Sequence, residues 1–246
     1  MKRFYKYLYL VSGLLFLFYF LFRVHVAIFH KSYEFMYYLL MDIAFLPIEV
    51  LLVTLVVDKL LAEREKKAVL DKLMMVVGVF FSETGTELLK RFSKADSSIN
   101  ELRQSLIISV SSDEMCLKTL KKTLLSYKPT IILSEISLLE LKILLVEKRD
   151  FLTKLLENPI LLEHEAFTDL LQSVFHLTEE LSRREHVDTL HPKDAEHITI
   201  DVHRAYTAVL REWGAYMAYL KRDYPYLFSF AVRTNPFNEQ ARVEID

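Results

Sequence analysis

Sixteen consecutive residues from Tyr7 to Phe22 carry no charge, and a second apolar run, Phe35 to Val57, follows almost at once. A bilayer core about 30 Å thick takes about 20 apolar residues in a helix rising about 1.5 Å per residue. The second run has 23 residues and is long enough. The first reaches that length only by continuing through Arg23 and His25 to Phe29, with Arg23 snorkelling toward the interface. The expectation is a two-helix transmembrane hairpin over residues 1–57, with spans at about 7–29 and 35–57. Tyr5, Tyr7 and Tyr9 at one end and Tyr33, Tyr37 and Tyr38 near the other suit interfacial belts. A signal peptide is the competing explanation of the first run, with a weak cleavage pattern at Val26-Ala27. Bulky Phe20, Leu21 and Phe22 sit where that pattern needs small residues.

Orientation follows from the basic residues. Lys2, Arg3 and Lys6 flank the first run, and Lys59, Arg64, Lys66, Lys67 and Lys72 follow the second. The connection holds only His30, Lys31 and Glu34. The positive-inside rule then places both termini and everything after residue 57 in the cytosol, on an inner or cytoplasmic membrane.

Asp42 and Glu49 lie inside the second run, seven residues apart and so on one helix face. Carboxyls at membrane depth are costly and face protein or water. They serve either an ion or proton path, which two spans enclose only as an oligomer, or structural pairing. In the pairing alternative Asp42 meets Arg23 or His25, and Glu49 meets another subunit. Pro47 between them is expected to kink the helix.

The remaining residues suit long helices rather than sheets, since the whole chain has only 4 Gly and 6 Pro in 246 residues. The fold class expected is all-α, the hairpin continuing into a cytosolic multi-helix bundle. A stalk over 58–95 continues the second span, because Leu70, Leu73, Val77, Phe80, Phe81, Thr84 and Leu88 recur at helical steps. Gly78, Ser82 and Gly85 form a small-residue stripe along it. Such a stripe permits close packing within the chain, or a dimer seam. Residues 96–246 are expected to form the bundle. Its helices run from Ser97 or Ser98 to about Val110, from Ser111 to about Tyr127, and from Ser134 to about Glu157. The last of these is apolar on most sides, hence central. Two long helices follow, from about Ile160 to Glu185 and from Pro192 or Lys193 to about Arg222. An aromatic tail, Tyr226 to Val232, docks on the domain or meets the membrane surface.

Six of the eight histidines fall between His164 and His203, accompanied by acids. Two i, i+4 pairs, His176/Glu180 and His197/Asp201, each place both side chains on one helix face, where a divalent metal can bridge them. The Glu-x-x-His repeats of carboxylate-bridged di-metal bundles are absent, and only Asp194-x-x-His197 is similar to them. A helical wheel sets both pairs opposite the apolar stripes, where solvated ion pairs are the ordinary outcome. Glu163 falls within the first stripe and, if buried, needs a partner.

Other chemistry has less support. A single cysteine, Cys116, excludes an internal disulfide and is expected to be a small buried hydrophobe. No strand–turn–helix elbow presents a serine. No basic stripe or module suggests nucleic acid. With no catalytic constellation, the expected function is a membrane-anchored, self-associating scaffold or interaction protein rather than an enzyme. Its partners are the lipid bilayer and either itself or another protein. The alternatives are a metal-binding His/carboxylate enzyme or sensor, and a small oligomeric transport component using the intramembrane carboxyls.

Overall fold

A computed structural model describes every residue except 1, 30, 31, 163, 245 and 246. The protein is all-helical, and among the described residues the only β feature is an isolated antiparallel bridge between Asp96 and Ile131. The chain divides into two units, residues 1–66 and 67–246.

The first unit holds α1 (Lys2–Phe29) and the N-terminal part of α2 (Ser32–Phe80). Phe35 of α2 packs against Phe22 and His25 of α1, each at a ring-centroid distance of 5.0 Å. α2 passes through Pro47 unbroken. Among the described residues one run of helix, Tyr33–Ala95, is long and apolar enough to cross a bilayer. Its most apolar 18-residue window has a mean hydropathy of 2.3, and none of it is buried. In α1 the described apolar stretch is the shorter Leu15–Ile28.

The second unit begins inside α2. Leu73, Val77 and Phe80 are core residues. One π turn, Phe81–Gly85, follows, closed by the Thr86 amide donating to the Phe81 carbonyl. Gly85 is required there, since a Cβ would stand 2.7 Å from atoms of both the Phe80 and Phe81 rings. The helix then continues as α3 (Thr86–Ala95).

α4 (Asn100–Leu106) is shorter than its sequence suggests. α5 (Glu114–Ser126) starts where Asp113 accepts the Cys116 amide at 2.7 Å. Cys116 itself is exposed, which corrects its expected burial. The helix expected from Ser134 to Glu157 is broken. A short 3-10 turn (Leu133–Glu135) precedes α6 (Leu138–Glu147), which Ser137 caps, and Lys148 separates α6 from α7 (Arg149–Leu156). Nor is α6 central, because Leu139, Ile143 and Val146 along one side of it are 47%, 60% and 44% exposed.

α8 (Pro159–Leu162) is separate from α9 (Glu165–Ser182), because His164 takes an extended backbone and caps α9 by accepting the Phe167 amide at 3.2 Å. The expectation for Glu163 lies outside the described residues. α10 (Pro192–Asp223) begins with Pro192 in its first turn, where no amide is needed, and α11 (Pro225–Arg233) includes the aromatic tail. The tail docks through Phe228, which is fully buried.

α10 is the central helix, in contact with α9, α5, α11 and α3. Its apolar stripe of Ile198, Val202, Tyr206, Val209, Trp213, Tyr216 and Leu220 is buried except for the half-buried Tyr216, and Phe167, Leu170, Leu171, Val174 and Leu181 on α9 are all buried.

Candidate functional site

α9 and α10 are joined by the nine residues 183–191 and lie side by side in antiparallel register. Antiparallel register pairs residues that descend on one helix with residues that ascend on the other. Three such pairs stack along the seam: Arg184 with Asp194, Glu180 with His197, and His176 with Asp201. The two i, i+4 pairs seen in the sequence therefore meet one another.

Asp201 is the hub. Its side chain is 2% exposed, and Oδ1 accepts from the Arg204 guanidinium at 3.0 Å. Oδ2 is buried without a hydrogen-bond partner. Nε2 of His197 lies 3.3 Å from Oδ2 and Nε2 of His176 lies 3.4 Å from it. Both imidazoles are about half exposed, at 50% and 45%. Glu180 flanks them, with its Oε2 3.6 Å from His197 Nε2 and its Oε1 4.0 Å from His176 Nε2.

Arg184 orients the outer acids. It donates to Glu180 at 2.6 Å and grips both oxygens of Asp194, at 2.7 and 3.0 Å. These bonds hold the Glu180 carboxyl below the usual carboxylate range, and the nearby His176 and His197 add to the effect. Asp194 is held low by the same guanidinium. A groove of about 630 Å³ opens beside the cluster, lined in part by Asp169, His176, His203, Arg204 and Arg211.

The placement of Asp201 corrects the helical wheel, which set it on a solvated face. A wheel gives the direction of the apolar stripe on one helix. It does not show how far neighbouring helices wrap around that helix, and α10 is wrapped from several sides. Arg184, missed from sequence, is signalled there only by its spacing, four after Glu180, whereas Arg204 shares the polar face of His197 and Asp201 on the wheel.

Two further buried carboxyls also escape a sequence reading. Asp96 accepts from the Ser98 and Thr130 amides at 3.1 and 2.9 Å and from the Tyr127 hydroxyl at 2.7 Å, which pins the loop after α5 to the end of α3. Glu212 is 7% exposed with Oε2 unpartnered, and burial pushes its carboxyl up.

The other candidates are scattered. In the first unit Arg23, Asp42 and Glu49 are exposed and His25 is half-buried. The small-residue stripe is split: Gly78 abuts Tyr216 of α10, Gly85 abuts Phe80 and Phe81, and Ser82 is exposed.

Two family descriptions match the chain: "MJ1433, N-terminal helical domain" over residues 2–61 and "Uncharacterized protein MJ1433, C-terminal helical domain" over residues 69–233. The protein printed as "Uncharacterized protein MJ1433" of Methanocaldococcus jannaschii is 43% identical over 228 residues, covering 93% of this chain and 92% of that one. No solved structure matches. A two-part helical chain with a family description over each part thus belongs to the MJ1433 family.

Proposed function

We propose that this protein is a membrane-anchored interaction protein. The N-terminal unit inserts in a cytoplasmic-type membrane as a two-helix hairpin, and the C-terminal unit is a cytosolic platform for a protein partner or a second copy. The carrying observation is the apolar surface of α2. Ile43, Phe45, Leu46, Ile48, Val50, Leu51, Leu52 and Val53 are each 54–61% exposed, on all sides of the helix. A helix that is hydrophobic all round requires lipid or a protein core around it.

The apolar content favours lipid, and the two carboxyls oppose it by a similar amount unless they are protonated or paired. The segment 35–57 holds fourteen Leu, Ile, Phe and Val residues. At roughly −0.3 to −0.6 kcal/mol each, they contribute roughly −4 to −8 kcal/mol to insertion. Asp42 and Glu49 oppose this by about 2.5–3.5 kcal/mol apiece when charged at the helix centre. Basic residues before the first run and after the second support cytosolic termini.

The interaction role draws support from α6, where Leu139, Ile143 and Val146 leave an apolar side uncovered at i, i+4 and i+7. Alkaline carbonate washing of native membranes tests the anchor: the protein is expected in the pellet, and release into the supernatant overturns the proposal. Protease added outside intact cells is expected to spare residues 67–246. Cross-linking in native membranes is expected to capture a defined partner or homo-oligomer that Ile143→Asp weakens. A monomer without partners removes the interaction role.

A further inference from the structure

We infer that His176, His197 and Asp201 bind one divalent transition-metal ion, with Zn²⁺ the best fit. The inference is independent of membrane anchoring. A carboxylate removed from water costs several kcal/mol unless it is paired, and buried polar atoms without partners are rare. Asp201 has one oxygen on Arg204, and its Oδ2, which accepts no hydrogen bond, lies between two imidazoles. That oxygen is a built acceptor without an acceptor's ordinary bond.

The distances suit a tetrahedral ion. Zn–N and Zn–O bonds of about 2.0–2.1 Å place neighbouring ligands of a tetrahedron about 3.3 Å apart. The two measured edges, from Oδ2 to His197 Nε2 and to His176 Nε2, are 3.3 and 3.4 Å. One donor atom from each of the three residues lies within 4.8 Å of the others. The histidine–histidine edge closes by side-chain rotation, which half-exposed imidazoles allow. Two imidazoles and one carboxylate select Zn²⁺ and its neighbours Co²⁺, Ni²⁺ and Cu²⁺ over Mg²⁺ or Ca²⁺, which take oxygen.

The surroundings agree. Three protein ligands leave a fourth position open, and the adjoining groove gives an ion a path in from solvent. The carboxylates of Asp201, Glu180 and Asp194 against the guanidiniums of Arg184 and Arg204 leave one negative charge at the seam. A cation offsets it. Glu180, tied to Arg184, supplies charge beside the ion rather than a ligand. The competing explanation is an imidazolium–carboxylate pair that holds no metal, and the following measurement separates the two.

The full chain without a polyhistidine tag is purified in detergent, stripped with chelator, and titrated with Zn²⁺ by calorimetry. Co²⁺ is titrated in parallel by visible absorption. The expected result is one ion per chain and the intense bands of tetrahedral Co²⁺. Asp201→Asn and His176→Ala each weaken binding about tenfold or more. His176→Ala/His197→Ala abolishes the Co²⁺ bands, and His203→Ala leaves them unchanged. Both histidines are half exposed, so these variants keep their fold, which helical circular dichroism checks. Absence of saturable uptake by the folded wild-type chain overturns the inference, as does undiminished uptake by the double variant.

Discussion

Oδ2 of Asp201 on α10 lies 3.4 Å from Nε2 of His176 on α9, so the two long helices touch through a carboxylate and an imidazole as well as through their apolar stripes. An ion held there acts as a clamp on the seam. At a free metal concentration of about 100 times Kd, binding stabilises the folded chain by about 2.7 kcal/mol. For a domain of this size that is a rise in Tm of about 5–10 °C. Zn²⁺ is expected to raise the Tm of wild-type protein over chelator-treated protein, and to leave that of His176→Ala/His197→Ala unchanged. An equal rise in both places the metal elsewhere.

Arg184 ties the end of α9 to the first turn of α10. Its partners Glu180 and Asp194 are both held below their ordinary pKa by its hydrogen bonds. A carboxyl lowered in the folded state adds stability above its unfolded pKa and loses it as the pH falls through the folded value. Arg184→Ala is therefore expected to lower Tm at pH 7, and the difference from wild type is expected to shrink as the pH falls through the lowered folded-state values of Glu180 and Asp194. Thermal unfolding across that range checks it; a constant difference argues that Arg184 acts through packing alone.

Glu212 behaves with the opposite sign. Burial raises its carboxyl, partly offset by His164 and Lys121. Its folded form is favoured below the unfolded pKa, and that contribution disappears as the pH rises through the folded value. Glu212→Met, which keeps volume and removes the charge, is expected to be more stable than wild type at pH 7, with the gap narrowing toward about pH 4. A variant less stable than wild type at pH 7 contradicts the burial cost.

Asp96 accepts three hydrogen bonds within the core, from two amides and one phenol. Asp96→Ala leaves those donors unsatisfied and is expected to cost about 3 kcal/mol, read from chemical denaturation. Tyr127→Phe removes only one of the bonds and is expected to cost about 1 kcal/mol. Equal losses would show that the phenol alone matters.

Gly78 leaves room for Tyr216. An added Cβ would stand 2.8 Å from the Tyr216 hydroxyl and 3.5 Å from the ring carbon bearing it, and that ring stacks on Phe81 at 5.3 Å. Gly78→Val is expected to destabilise by about 1–3 kcal/mol. Tyr216→Phe removes the closest atom and is expected to recover part of that loss. A double-mutant cycle with no coupling contradicts the contact.

Much of this architecture is legible along the chain because it depends on local periodicity. The apolar steps through Ile198, Val202, Tyr206 and Val209, the Pro192 start of α10 and the apolar runs near the N-terminus are each properties of one segment. The i, i+4 spacing of His176/Glu180 and His197/Asp201 is local in the same sense. What lies beyond local pattern is the antiparallel register that sets Asp201 against His176. A shift of α9 along α10 by one turn, about 5.4 Å, separates the two while leaving every helix and stripe unchanged. Register is set by how side-chain ridges of the two helices interlock, and the depth of Asp201 by how many neighbours surround α10. Both are sums over distant contacts. The same limit explains why α6, apolar in composition, lies at the surface, while the seemingly solvated face of α10 carries a buried carboxylate.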